Sequence, residues 1–244
     1  MSDYELVLAT DLDGTFLEGN EEVKEYFYTK LVNLKQKILL IYTTGRPVST
    51  VKYFCEMGFL PVPHFILGDH GTHIVDDNFD PIISLQNSIV QTWNEGNNKL
   101  KNLLCDESGI QLQPIDPPYR VAYYYDQEKL EQTTIEKIER AGYDSVLSCD
   151  MYLDILPKGV NKGSTLMRLL QFLKISPEVV ITAGDSLNDL SLFQTGLKSI
   201  VVGNAEPKLI PEISLLENVY HSKLPGLFGI LDGLSFYEKN YLFN

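Results

Sequence analysis

Short apolar segments alternate with helical patterns in the first part of the chain. Tyr4–Thr10 is a nearly apolar run typical of a strand that is buried on both faces of a parallel sheet. Apolar residues then recur at helical spacing from Val23 to Leu34, and a second apolar run, Lys37–Thr44, follows. Gly45 ends that run, and Pro47 stands where helices commonly begin. Strands joined by helices in this way predict a parallel α/β sheet.

The alternation changes after about residue 81. Residues 64–75 predict a third strand and a short return strand, and residues 86–105 form one polar helical pattern. An aromatic strand, a charged helix over residues 127–141 and two consecutive strands come next. Helices followed by adjacent strands are typical of an α+β unit. We therefore predict an α/β fold with a Rossmann-like parallel sheet core, residues 1–81 and 157–244, and an inserted smaller α+β domain, residues 82–156.

Polar clusters follow several of the predicted strands. Asp11 and Asp13 come after the first strand, and Thr44 and Gly45 come after the second. Lys162 opens the helix at which the α/β alternation resumes. Because ligands bind at the carboxyl ends of the strands in an open parallel sheet, we expect these side chains to converge. A later strand adds the segment GDSLND, which supplies Asp185, Asn188 and Asp189.

The converging set is rich in carboxylates, with only Lys162 and Arg46 as cations. Two buried carboxylates at contact distance repel by about 3 to 4 kcal/mol at an effective dielectric of 20, so a compensating charge is needed. Carboxylate oxygens without histidine or cysteine favour Mg²⁺, which retains waters for a phosphate ligand. The Thr44 hydroxyl, backbone N–H groups at Gly45 and the Lys162 ammonium are suited to phosphate oxygens. The sequence therefore predicts a magnesium-dependent phosphate site.

Asp11 and Asp13 are candidate catalytic residues with different roles. A carboxylate can attack phosphorus and form an aspartyl-phosphate, and we assign this role to Asp11. Asp13 would protonate the leaving sugar oxygen and later take a proton from the attacking water. Gly14 permits the sharp turn that directs both side chains to one substrate. Each motif alone also fits a plain role, since Asp-Leu-Asp occurs in turns and GDSLND is a good helix start.

The order of these motifs resembles that of a known superfamily. DLDGT, TTGR, the NKG lysine and GDSLND are similar to the four motifs of the haloacid dehalogenase-like phosphatases, and the inserted unit resembles their type 2 cap. YTTGR, DILP before NKG, and NAEP resemble the sucrose-phosphatase family more narrowly, and the likeness spans nearly the whole chain. The resemblance implies that Mg²⁺ is bound by the Asp11 carboxylate, the Asp13 backbone carbonyl and the Asp185 carboxylate. It also implies that Asn188 and Asp189 support the metal and that Thr44 and Lys162 contact phosphate.

One loop departs from the sucrose-phosphatase pattern. Residues 68–74 read GDHGTHI, whereas plant and cyanobacterial sucrose-phosphatases carry a different polar pair there. Related bacterial sugar phosphatases, including those that act on amino-sugar 6-phosphates, carry a DxGT type of loop. Asp69 and His70 are therefore candidate substrate-binding residues, together with Arg46, which could contact phosphate or cap the sheet end. The predicted substrate is sucrose 6-phosphate, with an amino-sugar 6-phosphate or another disaccharide phosphate as the alternative.

Composition and net charge limit the classes of molecule that the protein is expected to bind. The formal net charge is −13 and the calculated pI about 4.7, which disfavours nucleic acid and anionic membranes. The first ten residues lack the basic character of a signal peptide, so we expect a cytoplasmic protein, a monomer or weak dimer, whose partner is a small sugar phosphate. The three cysteines lack CxxC spacing and are interpreted as reduced packing residues. Tyr123 to Tyr125 are also interpreted as packing residues.

A protein that is not an enzyme remains an alternative. A phospho-acceptor signalling module also places acidic residues, a threonine and a lysine around an aspartate. Such a module usually needs about half this length and lacks the GDxxND acids, so the inserted domain favours the enzyme. Multiple turnover with Mg²⁺ would distinguish the enzyme from a module that holds one stable phosphoryl group.

Overall fold

The computed structural model describes residues 4–243. Residues 1–3 and residue 244 lie outside the described part, although all four belong to the predicted core. Residues 1–3 are also among the first ten residues considered above. Strands within the described part are β1 (Leu6–Thr10), β2 (Ile38–Thr43), β3 (Phe65–Gly68), β4 (His73–Asp76), β5 (Ile110–Leu112), β6 (Val121–Tyr125), β7 (Tyr143–Ser148), β8 (Tyr152–Pro157), β9 (Val180–Gly184), β10 (Lys198–Val201) and β11 (Val219–His221).

Helices connect most of these strands. The α-helices are α1 (Glu21–Asn33), α2 (Val48–Glu56), α3 (Ile83–Trp93), α4 (Gly96–Leu103), α5 (Gln132–Arg140), α6 (Lys162–Leu173), α7 (Leu190–Phe193), α8 (Leu209–Ile213) and α9 (Gly226–Phe236). Short 3₁₀ turns occur at Asp69–Gly71, Pro177–Val179, Leu187–Asp189 and Asn240–Leu242. No helix within residues 4–243 is both long enough and apolar enough to span a membrane.

A seven-stranded sheet forms the larger part of the fold. Its order is β11-β10-β9-β1-β2-β3-β4, and every neighbouring pair is parallel except β3 and β4. All five residues of β1 are buried. Leu6 and Leu8 belong to the apolar cluster shared with α1 and α9, while Val7 and Ala9 belong to the cluster shared with α6. Burial on both faces explains why the central strand is an unbroken apolar run.

Four further strands form a separate antiparallel sheet in the order β5-β6-β8-β7. Its apolar residues pack with α3, α4 and α5 around a cluster that includes Trp93, Leu100, Ile138 and Leu153. A parallel α/β core with a separate antiparallel sheet confirms the predicted fold class. We refer to the smaller sheet and its helices as the cap.

Two predicted helices have different bounds in the structure. The single helix expected over residues 86–105 is wrong, because Asn94 and Glu95 have φ values of 44° and 60° and separate α3 from α4. The helix expected over residues 127–141 is shorter, because Asp126 accepts the Glu128 N–H at 3.0 Å and holds a turn before α5 begins. The three-residue strands β5 and β11 were not predicted from the sequence.

Single residues of the cap also differ from the expectation. Tyr123 is buried in the cap core, as expected, whereas Tyr124 is 37% exposed and faces the cavity described below. Cys105 and Cys149 are exposed free thiols, so the interpretation of all three cysteines as packing residues is wrong for these two. A short antiparallel strand leaves alternate side chains on its outer face, which is why Tyr124 and Tyr123 have different surroundings.

Candidate active site

The ends of three neighbouring strands position the acidic residues. β1 lies between β9 and β2, with Thr10 opposite both Ala183 and Tyr42. The Asp11 N–H donates to the Ala183 carbonyl at 2.9 Å, which anchors the first residue beyond the strand. Because the strands end at similar heights, the segments that begin at Asp11, Thr44 and Asp185 leave the sheet beside one another.

Lys162 joins the acidic residues from the other side. Asn161 and Ser164 form a capping box at the start of α6, which places Lys162 in the first turn. The Lys162 side chain is fully buried, and its Nζ donates to Asp11 Oδ1 at 2.7 Å, Asn188 Oδ1 at 2.6 Å and Asp189 Oδ1 at 2.6 Å. Burial opposes the charge, but the two aspartates hold the pKa of Lys162 above its ordinary value. Lys162 therefore stays charged and orients three of the converging residues.

Asp189 holds the loop that presents Asp185. Its Oδ2 accepts the N–H groups of Asp185 at 3.0 Å and Ser186 at 3.1 Å, while its Oδ1 is bound to Lys162. A Cβ at Gly184 would lie 2.6 Å from Asp189 Cγ, so the loop can close this tightly only with glycine. Both carboxylate oxygens of Asp189 are thus engaged in shaping the loop.

The buried Asp11 and Asp189 and the half-buried Asp185 form a potential metal site. Oxygens of Asp11, Asp185 and Asp189 lie within 4.8 Å of one another. Burial, reinforced by the neighbouring carboxylates, raises the pKa of Asp11 well above its ordinary value even though Lys162 opposes the shift. Burial and the Asp189 charge likewise raise the pKa of Asp185 to about 7. With Lys162, the fully ionised cluster carries two uncompensated negative charges, and its donors are all hard oxygens, so it fits a divalent cation.

Gly14 brings the two strand-end loops together. Its φ is +75°, and a Cβ there would lie 2.3 Å from Asp185 Oδ2. The Asn204 side chain donates to the Gly14 carbonyl at 2.7 Å, and Thr15 Oγ1 donates to Asp185 Oδ1 at 2.9 Å. Only glycine combines this left-handed conformation with such a close approach.

Asp13 and Arg46 form an ion pair at the edge of the site. Arg46 Nε donates to Asp13 Oδ2 at 2.7 Å and Nη2 donates to Oδ1 at 2.6 Å, a bidentate arrangement. The guanidinium also lies 4.9 Å from the centre of the Phe54 ring. About half of the Asp13 side chain is exposed, unlike that of Asp11. The ion pair with Asp13 was not predicted from the sequence, and Arg46 lines the cavity described below.

Thr44 and Gly45 form the turn after β2. The Thr44 hydroxyl is buried and accepts the Arg46 N–H at 3.1 Å, while the Thr44 N–H donates to the Leu67 carbonyl at 3.0 Å. Gly45 faces the cavity, and a Cβ there would lie 2.8 Å from the His70 ring. The turn therefore lies directly against the loop that follows β3.

A buried ionic network joins that loop to the cap. Arg120 Nε donates to Asp69 Oδ1 at 2.9 Å, Nη1 donates to Asp154 Oδ1, and Nη2 donates to the Gly45 carbonyl at 3.2 Å. His70 Nε2 lies 3.1 Å from Asp154 Oδ2. Burial opposes ionisation of Asp154, but His70 and Arg120 hold its pKa below the ordinary value. Each of the four residues is at most 5% exposed.

Sequence reasoning missed Arg120 and Asp154. Their signal was an arginine directly before the apolar strand β6 and an aspartate in the middle of the apolar strand β8. The structure also places Asp69 differently from His70: the Asp69 carboxylate is bound to Arg120, and only His70 faces the cavity. For Asp69, burial raises the pKa while Arg120 opposes the shift.

Glu206 makes a second bridge between core and cap that the sequence did not reveal. Its carboxylate accepts the N–H groups of Leu187 and of Cys149 in the β7–β8 turn, each at 3.0 Å. Lys208 beside it is paired with Asp150 of the same turn. The cap therefore contacts the core at the Asp185 loop as well as at His70.

A cavity of about 550 Å³ opens between core and cap above the acidic cluster. This volume is within the usual range for small-molecule sites. Core residues that line it include Asp11, Asp13, Gly14, Gly45, Arg46, His70, Asp185 and Asn188, and cap residues include Gln113, Arg120, Tyr124, Tyr152 and Asp154. Thr44 and Lys162 lie behind this lining.

Three known proteins are similar over most of this chain. The chain is 35% identical over 229 residues to the glucosylglycerol-phosphate synthase of Pseudomonas anguilliseptica, covering 93% of this chain but 30% of that protein. It is 26% identical over 245 residues to the mannosylfructose-phosphate phosphatase of Agrobacterium fabrum, covering 96% and 97%. The sucrose-phosphatase 1 of Nicotiana tabacum is 26% identical over 219 residues, covering 84% and 52%. The chain thus spans under a third of the first relative and about half of the third.

A solved structure has the same fold. The sucrose-phosphatase of Synechocystis sp. PCC6803, determined in complex with sucrose and phosphate, superposes with a TM-score of 0.86 at 22% identity, covering 96% of this chain and 98% of that one. The model of the family described as sucrose-6F-phosphate phosphohydrolase matches residues 4–238. The chain therefore belongs to the sucrose-6F-phosphate phosphohydrolase family.

Proposed function

We propose that this protein is a Mg²⁺-dependent phosphatase that hydrolyses a sugar phosphate through an aspartyl-phosphate on Asp11. The observation that carries the proposal is the largely buried cluster of Asp11, Asp185, Asp189 and Lys162 beneath a cavity of about 550 Å³. Such a cluster at the carboxyl ends of parallel strands is suited to phosphoryl transfer, in which positioning and charge stabilisation dominate.

Asp11 is the proposed nucleophile. Its Oδ1 is held by Lys162, and among residues 4–243 its Oδ2 accepts no hydrogen bond, so one oxygen remains for attack. In the first step the Asp11 oxygen forms a bond to phosphorus as the bond to the sugar oxygen breaks. Asp13, released from Arg46 and protonated when the substrate is bound, gives that oxygen a proton. In the second step Asp13 takes a proton from water, the water oxygen bonds to phosphorus, and Asp11 is released.

The remaining residues of the cluster bind phosphate and metal in this proposal. Gly45 lines the cavity and would hold phosphate oxygens, with Arg46 beside Asp13 at the cavity edge. Thr44 and Lys162, the other two proposed phosphate ligands, lie behind the lining, so Lys162 would have to exchange one of its three present acceptors for a phosphate oxygen. The carboxylates of Asp11 and Asp185 and the Asp13 carbonyl would hold Mg²⁺, supported by Asn188 and Asp189. When bound, Mg²⁺ would offset the repulsion between these acids and the phosphate dianion.

Sucrose 6-phosphate is the first proposed substrate, supported by the family match and by the fold shared with a sucrose-phosphatase. Glucosylglycerol phosphate is the second proposed substrate, since the relative with 35% identity is named a glucosylglycerol-phosphate synthase. An amino-sugar 6-phosphate and mannosylfructose phosphate complete the test panel. Membership of a phosphatase family argues against the phospho-acceptor module.

The test is inorganic phosphate release across that panel, compared as kcat/KM in the presence of Mg²⁺. Asp11→Asn should abolish turnover while binding is largely retained, because the amide has nearly the same shape but cannot attack phosphorus. Asp77→Asn, in the turn after β4 and outside the cavity lining, is the matched control. Normal turnover by Asp11→Asn would refute the mechanism, and a panel without any sugar-phosphate turnover would refute the function.

A further inference from the structure

His70 lines the cavity and carries a buried polar atom without a hydrogen-bond partner in the described part of the chain. Among residues 4–243, Nδ1 of His70 is one of two buried side-chain polar atoms without a hydrogen-bond partner, and the residue is 5% exposed. The ring lines the cavity beside Gly45, where no side chain could fit. Buried polar atoms are normally paired, so this one indicates a partner that comes from the cavity.

The other ring nitrogen fixes which way His70 faces. Nε2 lies 3.1 Å from Asp154 Oδ2, and an ionised carboxylate only accepts hydrogen bonds, so Nε2 carries a proton. Arg120 holds Asp154 in turn and ties it to Asp69. The ring therefore cannot flip without breaking a buried contact, so Nδ1 keeps its position, as when a carboxylate orients a functional histidine.

The surroundings favour a neutral ligand at Nδ1 over an anion. Asp69 and Asp154 both lie in the network around His70, and Arg120 already pairs with both carboxylates. These two carboxylates would repel an anionic ligand. A ligand hydroxyl, in contrast, can donate to a neutral ring nitrogen or accept from a protonated one. Polyols present such hydroxyls.

We propose that His70, oriented by Asp154, hydrogen-bonds a hydroxyl of the substrate's sugar through Nδ1 and so determines specificity. The proposal rests on the proposed function, because it assumes that a sugar phosphate occupies the cavity. In this proposal His70 of the core, held by Asp154 of the cap, binds the sugar and not the phosphate. Selectivity for hydroxylated substrates then depends on the cap being seated on the core.

Two substitutions of His70 separate the roles of its nitrogens. His70→Gln retains a donor near the Nε2 position for Asp154 but has no polar atom at the Nδ1 position. His70→Asn retains a polar atom near the Nδ1 position, tolerates the φ of 58° found here, and loses the Asp154 contact. The probes are sucrose 6-phosphate, or glucosylglycerol phosphate if the wild type prefers it, and p-nitrophenyl phosphate, which has no hydroxyl group outside its phosphate.

His70→Gln should lower kcat/KM for the sugar phosphate by about 10- to 100-fold while p-nitrophenyl phosphate stays within about twofold of wild type. In His70→Asn, the ratio of kcat/KM for the sugar phosphate to kcat/KM for p-nitrophenyl phosphate should stay within about fivefold of the wild-type ratio, although the thermal stability of this variant falls. Equal losses of His70→Gln on both substrates, or no loss on the sugar phosphate, would overturn the proposal. If the proposed function itself is wrong, the result is different, because the wild-type protein would then not release phosphate from any sugar phosphate.

A measurement on the wild-type protein covers the case in which His70→Gln does not fold. In protein labelled with ¹⁵N-histidine, the Nδ1 resonance of His70 should shift when the alcohol of the preferred substrate, sucrose or glucosylglycerol, is added together with inorganic phosphate, but not with phosphate alone. The His70→Asn spectrum identifies the resonance among the four histidines of the chain. An Nδ1 resonance that does not change at saturating concentrations of that alcohol and phosphate would overturn the hydroxyl contact.

Discussion

Asp185→Asn should make the metal-free protein more stable at alkaline pH, although it removes a proposed metal ligand. The carboxyl is largely buried beside Asp189, and its pKa is raised from 3.8 to about 7. A carboxyl whose pKa is raised on folding favours the folded state only while protonated, so stability falls as pH rises from 3.8 to about 7 and stays low above that. At about 1.4 kcal/mol per pKa unit, the penalty above pH 7 is about 4 kcal/mol.

The assay is thermal unfolding in EDTA at pH 5 and pH 8. Asn keeps an oxygen for the Thr15 hydroxyl that now donates to Asp185 at 2.9 Å, so the substitution removes mainly the charge. At pH 8 the variant should unfold about 8 to 16 °C above wild type, since about 1 kcal/mol corresponds to roughly 2–4 °C in a domain of this size. At pH 5 the difference should shrink to under about 2 kcal/mol, because the wild-type carboxyl is then protonated.

Two comparisons make the result specific to the acidic cluster. Glu128→Gln removes one exposed carboxylate from the cap and should change unfolding little at either pH. Added Mg²⁺ should stabilise wild type and have little effect on Asp185→Asn, which reverses their order. The reasoning is refuted if Asp185→Asn is no more stable than wild type at pH 8 in EDTA, or if its advantage does not depend on pH.

Three further outcomes follow from the site. Gly14→Ala should lower kcat/KM by about 100-fold or more, because its Cβ would lie 2.3 Å from Asp185 Oδ2 and force the two loops apart; near-normal kinetics would contradict this. Arg120→Leu should lower the free energy of unfolding in urea by about 3–5 kcal/mol, since both of its carboxylate partners stay buried, whereas the exposed Arg140→Ala should cost less than about 1 kcal/mol. Equal effects of these two substitutions would contradict the buried network. EDTA should abolish phosphate release and added Mg²⁺ should restore it, so full activity in chelator would exclude the metal.

The positions of the polar residues of the site could be predicted because the sequence shows where the strands end. Asp11, Thr44 and Asp185 each directly follow a buried apolar run. A strand covered on both faces is mostly apolar along its length, so a cluster of polar residues after such a run marks where it ends. Parallel neighbours then place those ends at one edge of the sheet, which made the convergence predictable without knowing any distance.

The cap was less predictable than the core. Its first helical pattern is polar, and such a pattern gives no apolar stripe whose interruption would mark the break at Asn94 and Glu95. The short strand β5 pairs with β6 but is half-buried to exposed along its length, so it also lacked an apolar run. Local patterns locate elements that must be buried and say little about elements that stay near solvent.

By itself the sequence determined the parallel core, the inserted cap and the residues at the strand ends, because burial and chain connectivity constrain these locally. Only the tertiary structure decided that Arg120 and Asp154 of the cap meet Asp69 and His70 of the core. It also decided that Asp13 pairs with Arg46. These contacts depend on how two separately formed sheets lie against each other and on which rotamers the charges then adopt, and no period along the chain encodes either.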